Sequence, residues 1–266
     1  MDDSFFTTSD GEWFQPTDAC RGPWDPHACH AGPPAGLLAR ASERRLPEHQ
    51  LVRLTVDLAR PIPHAGFRIE TQIVRTGRTV STTSSTLIDG NGSTVATAHG
   101  MHIAAHHAVD MPTAPRDTPR LADAEPGVFP LTEHAHDLPA FDSGVQVHYP
   151  AGSGPHPGPN RMWMRSLPLL DTEDPSPFQR ICPLADCGNA ISRNADPDRI
   201  AFMNTDLTIV LHRPPVGEWL GMDCVSRWEP NGIGMSDSLL FDDDGPVGRA
   251  VQSLILRPVE PWIEAS

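Results

Sequence analysis

The chain has 266 residues, 38% of them apolar, and its acidic groups outnumber its basic ones to give a net charge of −14. All 20 basic residues are arginine, so chemistry that needs a lysine is excluded, including the phosphate-loop lysine, a pyridoxal Schiff base and the Ser-x-x-Lys hydrolases. The negative charge argues against nucleic acid as a partner and makes any anionic ligand dependent on arginines gathered locally. No stretch reaches the roughly 18 apolar residues of a membrane span. Met1-Asp2-Asp3-Ser4 lacks the positive region and apolar run of a secretion signal, so a cytoplasmic location is expected. Five cysteines, Cys20, Cys29, Cys182, Cys187 and Cys224, form an odd set without a C-x-x-C pair, which predicts reduced thiols.

In chain order, Gly36 to Arg45 carries Leu37, Leu38 and Ala41 at helical spacing. The strand Leu54-Thr55-Val56-Asp57-Leu58-Ala59-Arg60-Pro61 follows, closed by a proline that cannot donate to a ladder. Asp89-Gly90 between apolar strands predicts a hairpin, since glycine supplies positive φ. From about His106 to Pro159 proline, glycine and histidine are dense and periodicity fades, which predicts a Pro/His-rich linker over residues 106–142 between a unit of residues 1–105 and a unit of residues 143–266. The second unit opens on a strand from Gly144 to Tyr149, with another within Arg161 to Leu170. A helix over Leu184 to Arg193 follows, on the spacing of Leu184, Cys187 and Ile191. Leu207-Thr208-Ile209-Val210-Leu211-His212-Arg213-Pro214 then lies over Leu54 to Pro61 at an offset of 207 − 54 = 153, and Asp244-Gly245 matches Asp89-Gly90. Each unit reads as a helix covering an antiparallel sheet, so the fold class is α+β, with two such repeats in one chain.

The repeat also exposes asymmetries. Asp186 falls over Pro33, Asn204 over Leu51 and Gln252 over Gly100, so three polar side chains of the second unit have no polar counterpart in the first. Gln252 shares a strand face with Ala250 and Leu254, and a buried amide without partners costs about 1–3 kcal/mol. Asp186 and Asn204, with a water, are candidate partners. A carboxylate and two amides converging at one end of a helix form a water-activating constellation. Taken singly, Asp186 reads as a cap for its helix and Asn204 as a turn into its strand. G-x-S-x-G, H-E-x-x-H and G-x-G-x-x-G are all absent. His99, His102, His106, His107, His134 and His136 lack acidic or cysteine partners at ligand spacing, so no metal site is expected. Arg40, Arg44, Arg45 and Arg53 read as solvated surface.

Several motifs in fixed order carry a family resemblance. The first unit has Arg21-Gly22-Pro23-Trp24-Asp25, His30-Ala31-Gly32-Pro33-Pro34, Arg60-Pro61 and Asp89-Gly90. The second has Pro183-Leu184-Ala185-Asp186, Asn204-Thr205-Asp206-Leu207, His212-Arg213-Pro214, Gly217-Glu218-Trp219 and the run from Asp244 to Gln252. Over most of its length the chain resembles the acyl-CoA thioesterase II group of double-hotdog proteins, particularly its actinobacterial thioesterase-like branch. The resemblance implies a double hotdog that hydrolyses an acyl-CoA thioester in fatty acid metabolism without cofactor or metal. It places a catalytic trio on Asp186, Asn204 and Gln252, with Asn204 where better-known members carry a hydroxyl residue. Ala31 stands in place of the first glycine of His-Gly-Gly-Pro. The segment around His30 and Gly32 is expected to line the substrate path, and backbone N–H groups at a helix start to stabilise an oxyanion. Two other readings remain: a catalytically silent acyl-CoA-binding module, and a hotdog enoyl-CoA hydratase, whose loop Asp25-Pro26-His27 faintly matches. The expected partner is acyl-CoA, with no nucleic acid and no membrane span, and a homo-oligomer is compatible with the fold.

Overall fold

The structure is a computed structural model that describes residues 2–104, 112, 114, 117–132 and 137–259. The first half contains strands β1 (Phe6–Thr7) and β2 (Trp13–Pro16), helix α1 (Gly32–Arg45), and strands β3 (His49–Leu58), β4 (Phe67–Arg75), β5 (Val80–Asp89) and β6 (Thr94–Ala104). Proline within the first turn of α1 pre-sets φ where no intrahelical N–H bond is lost, and Arg44 and Arg45 in the last turn complement the helix dipole. The helix buries Leu37, Leu38 and Ala39 against a sheet ordered β4-β5-β6-β3. On β5, burial alternates residue by residue, so Ser81, Thr83 and Ser85 face the helix while their neighbours face outward.

The second half comprises β7 (Ala124–Gly127), β8 (Val145–Pro150), β9 (Asn160–Ser166), helices α2 (Pro177–Ala185) and α3 (Gly188–Ile191), and strands β10 (Ile200–Asn204), β11 (Asp206–Leu211), β12 (Leu220–Trp228), β13 (Ile233–Asp242) and β14 (Gly245–Pro258). β11 pairs antiparallel with β3, joining both halves into one 14-stranded sheet ordered β1-β2-β4-β5-β6-β3-β11-β14-β13-β12-β9-β8-β7, with β10 on β14. At the seam Thr208 is the register partner of Thr55, and its Oγ1 donates to the Thr55 Oγ1 at 3.2 Å. These two residues are equivalent under the 153-residue repeat, so a pseudo-twofold axis passes between β3 and β11. The α+β double-hotdog architecture follows: two helix-plus-sheet units side by side around that axis.

Two elements differ from the sequence reading. The helix expected over Leu184 to Arg193 starts earlier, at Pro177, where Ser176 Oγ accepts the Gln179 N–H at 3.1 Å. It breaks after Ala185, two residues beyond Pro183, which has no N–H to extend the ladder, and resumes as the short α3. Part of the segment read as linker is strand, because β7 pairs with β8 although its Ala-Glu-Pro-Gly sequence carries no alternation. All five cysteines are free thiols. No helix among the described residues is long and apolar enough to cross a membrane.

Candidate functional site

The interruption between α2 and α3 places Asp186 at the C-terminal end of α2, where its carboxylate is 3% exposed. It caps no helix N-terminus. Its Oδ1 accepts two side-chain amides, Asn204 Nδ2 at 2.8 Å and Gln252 Nε2 at 3.0 Å. Gln252, 1% exposed on β14, is itself fixed from both ends: Nε2 also donates to the Asp186 carbonyl at 2.9 Å, and Oε1 accepts the Asn189 N–H at 3.1 Å. Every polar atom of that buried amide is thereby partnered except one amide hydrogen at most. Asn204 ends β10, just before the chain switches to β11. The Asp206 carboxylate receives the Ser253 N–H at 2.7 Å there, which holds the switch in place. The half-buried Asn204 keeps its Oδ1 without a partner among the described residues.

The other carboxylate oxygen belongs to the first half of the chain. His30 Nδ1 lies 3.2 Å from Asp186 Oδ2, and the Gly32 N–H donates to Nδ1 at 3.2 Å and to the carboxylate. Gly32 is the first residue of α1, so the N-terminus of the first-half helix is aimed at the second-half acid. Pro33 and Pro34 have no N–H, which leaves Gly32 as the donor of the helical first turn. Glycine is required at 32 because a Cβ would lie 2.5 Å from the Pro183 carbonyl oxygen.

Burial dominates the protonation of this pair. It raises Asp186 from 3.8 to about 7, against the opposing bonds from Asn204, Gln252 and Gly32, and it lowers His30 from 6.5 to about 3. His30 is therefore held neutral, and Asp186 takes up a proton near neutrality. An acid poised there can act as a base in one form and return the proton in the other.

The remaining sequence candidates sort by placement. His102 is buried against Thr83, its Nε2 at 3.1 Å from Thr83 Oγ1, and serves packing. His106, His107, His134 and His136 lie outside the described residues. Among the described residues no group of three or more His, Cys, Asp or Glu is arranged to hold a metal ion. Asp25 and His27 form an exposed turn, the Asp25 carboxylate accepting the His27 N–H at 2.8 Å, and make no buried acid–base pair. Arg40 is not free surface but is buried in an ion pair with Glu173, which Arg44 joins at 2.7 Å. Sequence reasoning missed Phe141, whose ring stacks on His30 at 3.9 Å and 9°. It sits in the proline-rich crossover, where no periodicity marks a buried ring.

Models of two thioesterase domains match the chain, the acyl-CoA thioesterase N-terminal domain over residues 20–103 and the acyl-CoA thioesterase C-terminal domain over residues 112–256. The chain belongs to the acyl-CoA thioesterase family. Solved structures agree in fold. A hot dog fold protein of unknown function from Alicyclobacillus acidocaldarius is 20% identical, with a TM-score of 0.72 and coverage of 98% of both chains. The acyl-CoA thioesterase II TesB2 of Mycobacterium marinum is 14% identical, with a TM-score of 0.65 over 95% of this chain and 96% of its own. No curated protein matches the sequence.

Proposed function

We propose that the chain hydrolyses an acyl-CoA thioester with a water activated by Asp186. The observation that carries this reading is one buried carboxylate whose Oδ1 accepts both side-chain amides and whose Oδ2 lies 3.2 Å from His30 Nδ1. A water that donates one hydrogen to Asp186 and the other to the unpartnered Asn204 Oδ1 has a lone pair free to attack the thioester carbonyl. Asp186 takes the water's proton as the new C–O bond forms. When the tetrahedral intermediate collapses the C–S bond breaks, and the thiolate leaves with the proton returned by Asp186. Gln252 fixes the carboxylate's orientation, and the positive end of α1 favours negative charge that develops beside it. A thiolate leaving group asks little of the site, so neither a covalent enzyme intermediate nor a Lewis acid is needed. His30 and Gly32 line the path of the thioester across the interface of the two halves.

The test is a panel of acyl-CoAs assayed for released thiol, with binding measured in parallel. Thiol release by the wild-type chain supports the hydrolase. Tight binding without release would replace it with the silent acyl-CoA-binding module.

A further inference from the structure

The motif that begins at Arg21 and the crossover between the two units take no part in the chemistry described so far, yet both converge on His30. The imidazole lies face to face with Phe141, ring centroids 3.9 Å apart and planes within 9° of parallel. That is closer than the roughly 4.5–7 Å of ordinary aromatic pairs. Phe141 opens the short turn Phe141–Gly144 at the end of the crossover, with Phe5 nearly parallel to it at 5.8 Å and Phe129 edge-on at 5.7 Å. The cavity left beside the pair measures about 10 Å³, about the least that one water needs. An imidazole packed this way cannot tilt toward Phe141 without displacing a ring that is itself held by two others.

Two adjacent backbone carbonyls fix both rings. That of Cys20 accepts the His30 N–H at 2.8 Å, and that of Arg21 accepts the Phe141 N–H at 3.0 Å. The Arg21 side chain completes the tie: Nε donates to the Pro139 carbonyl at 3.0 Å, one terminal nitrogen to the Pro26 carbonyl at 2.5 Å and the other to the Asp18 carboxylate. A planar guanidinium serves three such directions at once, which a lysine ammonium on its flexible stem does not. The crossover is thereby bound, on both sides of Ala140, to the loop that leads into His30. What the tie protects is the 3.2 Å approach of His30 Nδ1 to Asp186 Oδ2, which a shift of only ~0.5 Å would take out of hydrogen-bonding range. We infer that Phe141 and Arg21 are positioning residues for the reaction, and that the crossover is a clamp holding the His30 imidazole against Asp186. The inference rests on the proposed hydrolysis for its kinetic consequence, whereas the orientation of the ring can be read without turnover.

The experiment is a double-mutant cycle in the full chain, with acyl-CoA as substrate. Phe141→Leu keeps an apolar side chain but removes the flat face, and is expected to lower kcat ~tenfold with KM within ~twofold, since misplacing a group by 1 Å can cost as much as ~100-fold. Arg21→Lys should lower kcat by a smaller factor, ~threefold, for the same reason. Introduced into His30→Ala, neither should lower kcat further, because both act through the ring that is gone; a merely structural role gives the same loss in both backgrounds. Independently of rates, NMR of the histidine-labelled chain, with His30 assigned by its loss in His30→Ala, should show a ring signal shifted by the stacked Phe141 that moves again as Asp186 titrates. That second step should vanish in Asp186→Asn and fall to less than half in Phe141→Leu. Should Phe141→Leu fail to fold, Arg21→Lys carries both arms. An equal loss of kcat in both backgrounds, an unchanged kcat in folded Phe141→Leu, or an undiminished His30 step in that variant overturns the clamp. The expected His30 signals in a chain that releases no thiol would keep the clamp and remove the hydrolysis.

Discussion

The two regions related by the pseudo-twofold axis share a backbone frame and almost nothing else. In one, Asp186 meets His30. In the other, the equivalent positions are Pro33 and Pro183, neither able to titrate. Leu51 stands where Asn204 is, and Gly100 where Gln252 is. Gly100 is not merely a missing amide. A Cβ there would lie 2.4 Å from Thr83 Oγ1 and 3.0 Å from His102 Nε2, so the space that Gln252 uses in the second half is filled in the first by a threonine–histidine pair. Its second-half counterpart, Ser236, is smaller and leaves room for the amide beside it. The comparison shows what fusing two units permits: one region is free to bury a costly carboxylate while the other is packed for stability.

The sharpest way to break this comparison is to remove the acid. Asp186→Asn is expected to lower kcat by about 10³-fold, within the range of a lost general base, while acyl-CoA binding survives. It should not lower stability at pH 8. The folded protein holds the Asp186 proton up to about 7 against 3.8 unfolded, so this group's contribution is full below the unfolded value and is lost as pH rises through 7. The amide carries no such loss. Rate assays with thermal melts at pH 5 and pH 8 check both halves of the statement, and wild-type turnover in the variant would end the assignment of Asp186 as base.

Next in size is His30→Ala, which strips the neutral partner from Oδ2 and should cost about ten- to a hundredfold in kcat through lost positioning. Unchanged kinetics would return His30 to the scaffold. In the wild-type enzyme kcat/KM should fall ~tenfold per unit as pH drops below about 7, because only ionised Asp186 accepts a proton from water. An acid limb near 4 would mean that the carboxylate is solvated during turnover. In the first-half region, Gly100→Ala forces Thr83 aside and should cost about 1–3 kcal/mol of stability with kcat unchanged. Denaturant melts and rates on the same preparation test it, and a large drop in kcat at full stability would show that the first-half region is not merely structural.

Much of this asymmetry was legible in the sequence, because a repeat supplies its own control. Leu54 to Pro61 laid over Leu207 to Pro214 located the seam strands, and the residues that broke the overlay were those that the fold brings into hydrogen-bonding contact. Period-two alternation alone put Gln252 on a buried stripe. What stayed hidden depends on tertiary contact. The break in the second helix needs Pro183 and the Ser176-Pro177 start to be weighed together, and apolar spacing favoured the later segment instead. The approach of His30 to Asp186 joins residues 156 positions apart, and no local pattern encodes it. Phe141 lies in a proline-rich stretch whose burial comes from Phe5, Phe129 and His30 rather than from any strand or helix period.

The smallest expected effect concerns Asn204, where the sequence departs from the hydroxyl residue of better-known members. Its Nδ2 donates to Asp186 Oδ1 at 2.8 Å and its Oδ1 is open, so one side chain both supports the acid and offers an acceptor to water. A threonine hydroxyl has one hydrogen and two lone pairs, enough to donate to Asp186 while accepting from the same water. Its branched Cβ also suits the end of a strand. The exchange swaps one hydrogen bond for another, worth about 0.5–1.5 kcal/mol if geometry is imperfect. Asn204→Thr is therefore expected to keep kcat within about tenfold of wild type or to raise it, whereas Asn204→Ala, which offers neither group, should fall further. Steady-state rates of both variants decide the point: a threonine variant as slow as the alanine one, with its fold intact, would show that the amide has a role no hydroxyl can fill.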